Sequence, residues 1–298
     1  MRLNRAIASL ALLAALGSTP ALATELTNGR ITVDFDTNPS FPAPDQDRVD
    51  SISWIQSDGT STGNLAASSP FGECGDVSEF FGQSYDEGSV PDTPVQAIIA
   101  GSLSNWTDVD SGLSGYSKAT QAKTCDRPLQ AVTETYYKLK TLAAVSNALR
   151  IERRIRFLAS AKGKMTNFRA YVARLPYPIY PTILVPETDG TIHRVSVTYG
   201  DLSGWNGTWF ADDNGSGYGM MVIRDASSTW PATIDMDTDG GSNSNLAAIS
   251  LIVPPGGFSG EITETEWLCF YDPTTWPKSR AAKGLLPKGC SVPVVTNR

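Results

Sequence analysis

The residues best equipped for chemistry gather between Trp230 and Trp276. Asp235, Asp237 and Asp239 stand ahead of Gly240 in the pattern DxDxDG. This is the first half of a calcium loop, in which alternate carboxylates face one centre and glycine permits the sharp turn. Asn243 falls at the ninth position of such a loop, but the twelfth is Leu246, where a helix–loop–helix calcium site needs a bidentate glutamate. That particular site is excluded. A calcium ion held here would draw its remaining ligands from elsewhere, and a solvated acidic turn is the simpler expectation.

Further on come Glu261, Glu264 and Glu266. In an alternating strand Glu264 and Glu266 project to one face, and Thr265 and Trp267 to the other. Carboxylates that share a face raise each other's proton affinity, a property that general acid/base work at an anomeric carbon would use. The plain alternative is that these are the exposed glutamates of an acidic protein. A second acidic turn, Asp212-Asp213-Asn214-Gly215, follows Trp209. It has good hairpin chemistry. With Trp209, Trp230 and Trp267 it also offers the parts of a sugar site, because CH faces stack on aromatic rings while hydroxyls hydrogen-bond to carboxylates. Most of the seven tryptophans are expected in the core. His193 is the single histidine, which excludes a two-histidine metal site, and no GxSxG nucleophile accompanies it.

The elements that position these residues begin after an export signal. Arg2 and Arg5, the apolar run from Ala6 to Leu16 and the small-x-small Ala21-Leu22-Ala23 occur in the order of a secretory signal peptide covering residues 1–23. A single domain is expected over 24–298, with a basic, cysteine-anchored tail from about 277 to 298. The formal charge of −7 becomes more negative once Arg2 and Arg5 leave. Basic residues concentrate only from Arg150 to Arg156, which argues against a nucleic-acid partner or an anionic membrane surface, and no later segment is long enough for a membrane span. The four cysteines form no CxxC and suit an oxidising compartment, secreted or periplasmic. They allow three pairings. The local one, Cys74 with Cys125 and Cys269 with Cys290, brackets loop-rich and tail segments that would otherwise be loose.

Strand signals recur at short intervals. RITVDFD from Arg30 to Asp36 alternates apolar and polar residues, and Val49 to Gln56 and Pro94 to Ser102 carry further strand runs. The stretch from Ser57 to Pro94 reads as a long loop. Leu129 to Ala161 has the composition of a helix, but Leu149, Ile151, Ile155 and Phe157 alternate with Arg150, Glu152, Arg154 and Arg156. Period two predicts strands over Ala131–Leu139 and Ala148–Leu158, with Arg153 as the one exception on the apolar face. Six more strand runs follow between Asn167 and Tyr271, bounded by Gly, Pro, Asp or Asn and with no crossover helices. Together they predict an all-β fold, a large antiparallel β-sandwich with disulfide-tied loops.

The order of these features resembles the galactose mutarotase-like super-sandwich of aldose 1-epimerases and of modules in polysaccharide-degrading enzymes. The carrying stretches are RITVDFD, NALRIERRIRF, IDMDTDGGSNSNLAAISLIVPP and GEITETEW. In that family a glutamate acts as base and a histidine as acid at the anomeric centre. The resemblance therefore implies Glu264 or Glu266 in the first role and His193 in the second. Three functions stay open: an exported carbohydrate-binding protein, possible calcium included at the Asp235 loop; an enzyme at an anomeric carbon; and a structural or adhesive protein without a small ligand.

Overall fold

The computed structural model describes residues 25–36, 48–63, 65, 82–87, 96–99, 104–108, 113–123, 131–140, 147–157, 165–176, 182–186, 192–195, 200–202, 207–212, 218–228, 230–238, 244–281, 283 and 286–290. The expected signal peptide, Cys74, Cys125, Asp213, Asp239 and Asn243 lie outside the described residues.

In chain order the strands are β1 (Glu25–Thr27), β2 (Ile31–Asp36), β3 (Arg48–Trp54), β4 (Gly82–Glu87), β5 (Gln96–Ile99) and β6 (Ser104–Asp108). Next come β7 (Leu113–Lys123), β8 (Ala131–Lys140), β9 (Ala148–Phe157), β10 (Met165–Pro176), β11 (Thr182–Pro186) and β12 (Ile192–Val195). The last are β13 (Gly200–Leu202), β14 (Thr208–Asp212), β15 (Gly219–Arg224), β16 (Ala232–Thr238), β17 (Ser244–Leu251) and β18 (Gly260–Tyr271), followed by a one-turn helix α1 (Lys278–Ala281). They form a three-stranded sheet β1-β2-β3, a five-stranded sheet β13-β16-β17-β10-β4 and a long sheet β12-β11-β14-β15-β18-β9-β8-β7-β5, with β6 also on β7. The registered strand pairs are antiparallel, as in β9 with β18 and β10 with β17.

The long and five-stranded sheets meet over an aromatic core. Ile155, Phe157 and Ile262 of the long sheet pack with Phe168, Ala170 and Leu251 of the other and with Phe258. Phe157 stacks on Phe258 at 4.5 Å, and Phe168 meets Phe157 edge-on at 5.1 Å, offsets that aromatic quadrupoles favour. Nearer the other end of β18, Phe270 stacks on Trp54 of β3 at 6.0 Å, which brings the three-stranded sheet onto the same inner face. The outer face of β18 is covered too: Trp267, Cys269 and Tyr271 pack with Met221, Ile223, Cys290, Trp276 and Leu286. A strand buried on both faces reads as a nearly continuous apolar run, and this explains WLCFY at its end.

The all-β antiparallel sandwich is therefore as expected, and β8 and β9 take the alternating, non-helical form. The Cys269–Cys290 disulfide is present, with Cα atoms 5.7 Å apart. Two local expectations need correction. The stretch read as a long loop contains β4, and two further strands, β6 and β7, follow Ser102. The acidic loop at Asp235 is in fact strand as far as Thr238, because Ile234 and Met236 alternate with the aspartates and β17 supplies a neighbour along its whole length. Ladder pairing overrode the turn propensity of Asp.

Candidate functional site

Glu264 and Glu266 come together on the inner face of β18, near the middle of the long sheet, and both are 0% exposed. They are not the solvated glutamates that composition alone predicts. Their alternation follows from the strand, since Ile262, Glu264, Glu266, Leu268 and Phe270 share one face. Across β9 the register sets Glu264 opposite Arg153, and across β15 it sets Glu266 opposite Arg224.

The ion pairs cross this register. Arg224 Nη2 donates to Glu264 Oε2 at 2.8 Å and Nε donates to Oε1, a two-legged fork. The same Nη2 donates to the carbonyl of Trp230 at 2.6 Å. Arg153, 1% exposed, donates from Nη1 to Glu266 Oε2 at 3.2 Å, whereas Glu266 Oε1 is buried and has no hydrogen-bond partner among the described residues. Diagonal neighbours on one sheet face lie within reach of long side chains, so the four residues form one buried quartet over β9, β18 and β15.

Burial dominates the protonation of this group. It pushes Glu266 up to about 8, against the pull of Arg153 and Arg224 and with a further push from Glu264 and Asp225. Glu264 is also raised by burial, opposed by the hydrogen bonds and charge of Arg224 and by the charge of Arg153. Tyr137 on β8 is pushed up to about 12 by its burial, with Arg153 opposing and Glu266 adding.

The other sequence candidates lie elsewhere. His193 sits on β12, the edge strand, opposite Val185, and three strands separate it from β18 along the sheet. At about 4.8 Å per strand that is roughly 19 Å. Trp209 is paired with Val222, and Asp212 with Gly219 and Thr182. Trp267 is buried on the outer face, where its indole N–H donates to Asp225 Oδ2 at 2.6 Å and Arg150 lies 5.8 Å above the ring. Trp230 is half-buried at the edge of the core, with its N–H donating to Ile252 O at 3.0 Å and its ring 5.8 Å from Phe258. Asp235 and Asp237 occupy alternate positions on one face of β16, and Asp201 of β13 stands directly across from Asp235. Among the described residues no group of three acidic, histidine or cysteine side chains is placed to hold a metal ion, and no helix is long and apolar enough to cross a membrane.

Sequence reasoning missed Arg224 and Tyr137. Arg153 did leave a signal, a charge on the apolar face of an alternating strand. Arg224 left none, because it closes the apolar run GMMVIR at a strand end, where an arginine is unremarkable.

No protein-family model matches the chain, and no curated protein matches it. Among solved structures, the alpha-N-acetylgalactosaminidase NagBb from Bifidobacterium bifidum is similar over 88% of this chain, at 12% identity and a TM-score of 0.53. The chain spans only 39% of the length of that protein. A putative aldose 1-epimerase from Klebsiella pneumoniae is similar over 90% of this chain and 85% of its own, at 10% identity and a TM-score of 0.48. At 12% identity the likeness to the galactosaminidase concerns the backbone alone: this chain and part of that protein share one fold.

Proposed function

We propose that this chain is an exported carbohydrate-binding β-sandwich protein, with a calcium ion at the Asp235 strand as an optional aid. The observation that carries the carbohydrate part is the fold likeness of 88% of the chain to part of a protein named for its action on N-acetylgalactosaminides. The order of basic, apolar and small residues in 1–23 supports export. Asp235 and Asp237 on one strand face, with Asp201 across from Asp235, support a cation, since like charges directly opposite each other repel.

Binding is favoured over catalysis at the glutamates by the buried quartet. Glu264 and Glu266 are each held by an arginine and are shut off from solvent, so they are committed to the fold and no sugar reaches them in this conformation. The mutarotase-like alternative, with Glu264 or Glu266 as base and His193 as acid, would need groups from β18 and β12 to meet at one substrate. Sugar contact would instead fall to side chains with some exposure, such as Trp230, together with the β14 positions Trp209 and Asp212 and with Asp213.

The deciding experiment is glycan-array binding by the mature, oxidised protein, once with calcium and once with chelator. Saturable binding to one sugar class is expected. Loss of that binding with chelator and in D235A/D237A would assign the metal to β16. No binding in either condition overturns the proposal in favour of a structural or adhesive role.

A further inference from the structure

The two halves of the buried quartet are unequal. Both oxygens of Glu264 are taken by the Arg224 fork, whereas Glu266 receives one bond at 3.2 Å and keeps Oε1 buried with no partner among the described residues. An ionised carboxylate spreads its charge over both oxygens. Half the charge of an ionised Glu266 would therefore sit on a buried atom with no donor beside it among the described residues, the costly situation for a buried polar group. A proton on Oε1 removes that charge and leaves Oε2 free to accept from Arg153.

We propose that the Arg153–Glu266 half of the quartet is a proton-operated latch at the centre of the long sheet. With a proton on Glu266 Oε1 the inner-face seam between β9 and β18 stays closed; its loss opens the packing locally until water reaches that oxygen. The groups facing Glu266 are Arg153 from β9, Tyr137 from β8, Arg224 from β15 and Glu264 on β18 itself, while Asp225, which holds Trp267 on the outer face, acts on it by charge alone. Arg153 and Arg224 favour the carboxylate, while burial, Glu264 and Asp225 favour the proton; burial wins, and Tyr137 stays neutral throughout because its own burial holds it near 12.

The sign follows directly. The folded value of about 8 lies above the ordinary glutamate value, near about 4.3. The folded state therefore binds the extra proton in between, and the stabilisation, complete below the lower value, is lost as pH rises through the upper one. The test is chemical denaturation of the mature, oxidised protein from about pH 5 to about pH 9, where a one-proton linkage changes the folding constant by at most about tenfold per pH unit. The wild type is expected to lose stability along this range and Glu266→Gln, which carries an amide in place of the acid, to lose the slope. In the infrared, a carboxylic-acid C=O band at neutral pH is expected in the wild type and absent from the variant. Hydrogen exchange at the amides of Ile151, Arg153 and Glu266 should accelerate beyond the intrinsic rate above the upper value. Superimposable stability profiles, or the absence of the acid band, overturn the latch. Should Glu266→Gln fail to fold, the wild-type band and exchange data decide by themselves.

Discussion

Arg224 stands directly across the β15–β18 pair from Glu266, yet its guanidinium closes on Glu264, two positions along the same strand. Arg153 makes the mirror choice, opposite Glu264 in register and bonded to Glu266. The pairs thereby cross over β18. Each arginine ties its own strand to a site further along the central one, which resists sliding of β9 and β15 against it.

Removing one member of this network should be far worse than removing a pair. Glu264→Gln leaves the largely buried Arg224 without its counter-charge, and breaking a buried pair in this way costs about 3–5 kcal/mol. The double change R224M/E264M should cost less than the two single changes added together, because no orphan charge remains. Urea denaturation of the three variants and the wild type measures the coupling directly, and additive effects would mean that the fork contributes little.

Asp272 ties β18 to the turn after β3. Its Oδ2 accepts from Ser57 N at 2.8 Å, and its Oδ1 accepts from Thr274 N at 2.9 Å and Thr275 N at 2.7 Å. Burial pushes its carboxyl up, but the hydrogen bonds from Ser57 and Thr275 outweigh burial and hold it below the ordinary range. A depressed folded value stabilises the protein above the unfolded pKa, near about 3.9, and that contribution disappears as pH falls through the folded value. Asp272→Asn should therefore cost about 1–3 kcal/mol near neutral pH. The gap to wild type should narrow on acidification below about pH 4 in denaturation series. A gap that is constant with pH would contradict this assignment.

The disulfide holds the segment leading to Cys290 over the outer face of β18. Cys269 and Cys290 are 21 residues apart, and closing a loop of that length stabilises by about 3 kcal/mol on the chain-entropy model. In C269S/C290S the thermal midpoint should drop accordingly. Limited proteolysis should then cut first between Asp272 and Cys290, where Trp276 on Tyr271 and Leu286 would lose their anchor. Unchanged cleavage sites would show that the hydrogen bonds from Asn147 Nδ2 to Lys288 O and from Asn147 N to Gly289 O suffice to hold the segment.

The Pro254-Pro255-Gly256-Gly257 turn reverses the chain between β17 and β18. Gly257 N donates to Pro254 O at 2.9 Å, and Gly256 has a φ of 91°. Proline followed by a positive-φ residue is the demand of a type II turn. A Cβ at Gly256 would meet nothing within 4 Å, so the penalty of Gly256→Ala is purely conformational, about 1–2 kcal/mol. Denaturant midpoints of the variant should fall by that amount with an unchanged m-value; a neutral result would mean that the turn relaxes freely.

Much of the sandwich was legible in the residues. Period-two alternation in NALRIERRIRF identified β9 against a helical composition, because side-chain direction along a strand is a local property. The flanking Gly, Pro, Asp and Asn marked many of the strand ends, and the spacing of Cys269 and Cys290 pointed to the pairing that is present. Strands poor in apolar residues, such as GQSYDE in β4 and SNWTD in β6, were invisible, since their stability comes from neighbours distant in sequence. The common face of Glu264 and Glu266 could be read from the chain, but their burial could not. Whether a strand is covered on one face or both depends on which segments fold over it, here the five-stranded sheet, β3 and the disulfide-anchored segment leading to Cys290. The same holds for their partners: Arg153 and Arg224 lie 71 residues apart, and only the order β15-β18-β9 brings them to either side of one strand. Sequence determined the alternation, the turns and the charges available. Tertiary structure decided which charges lost their water, and with it whether two glutamates are surface groups or the buried centre of the sheet.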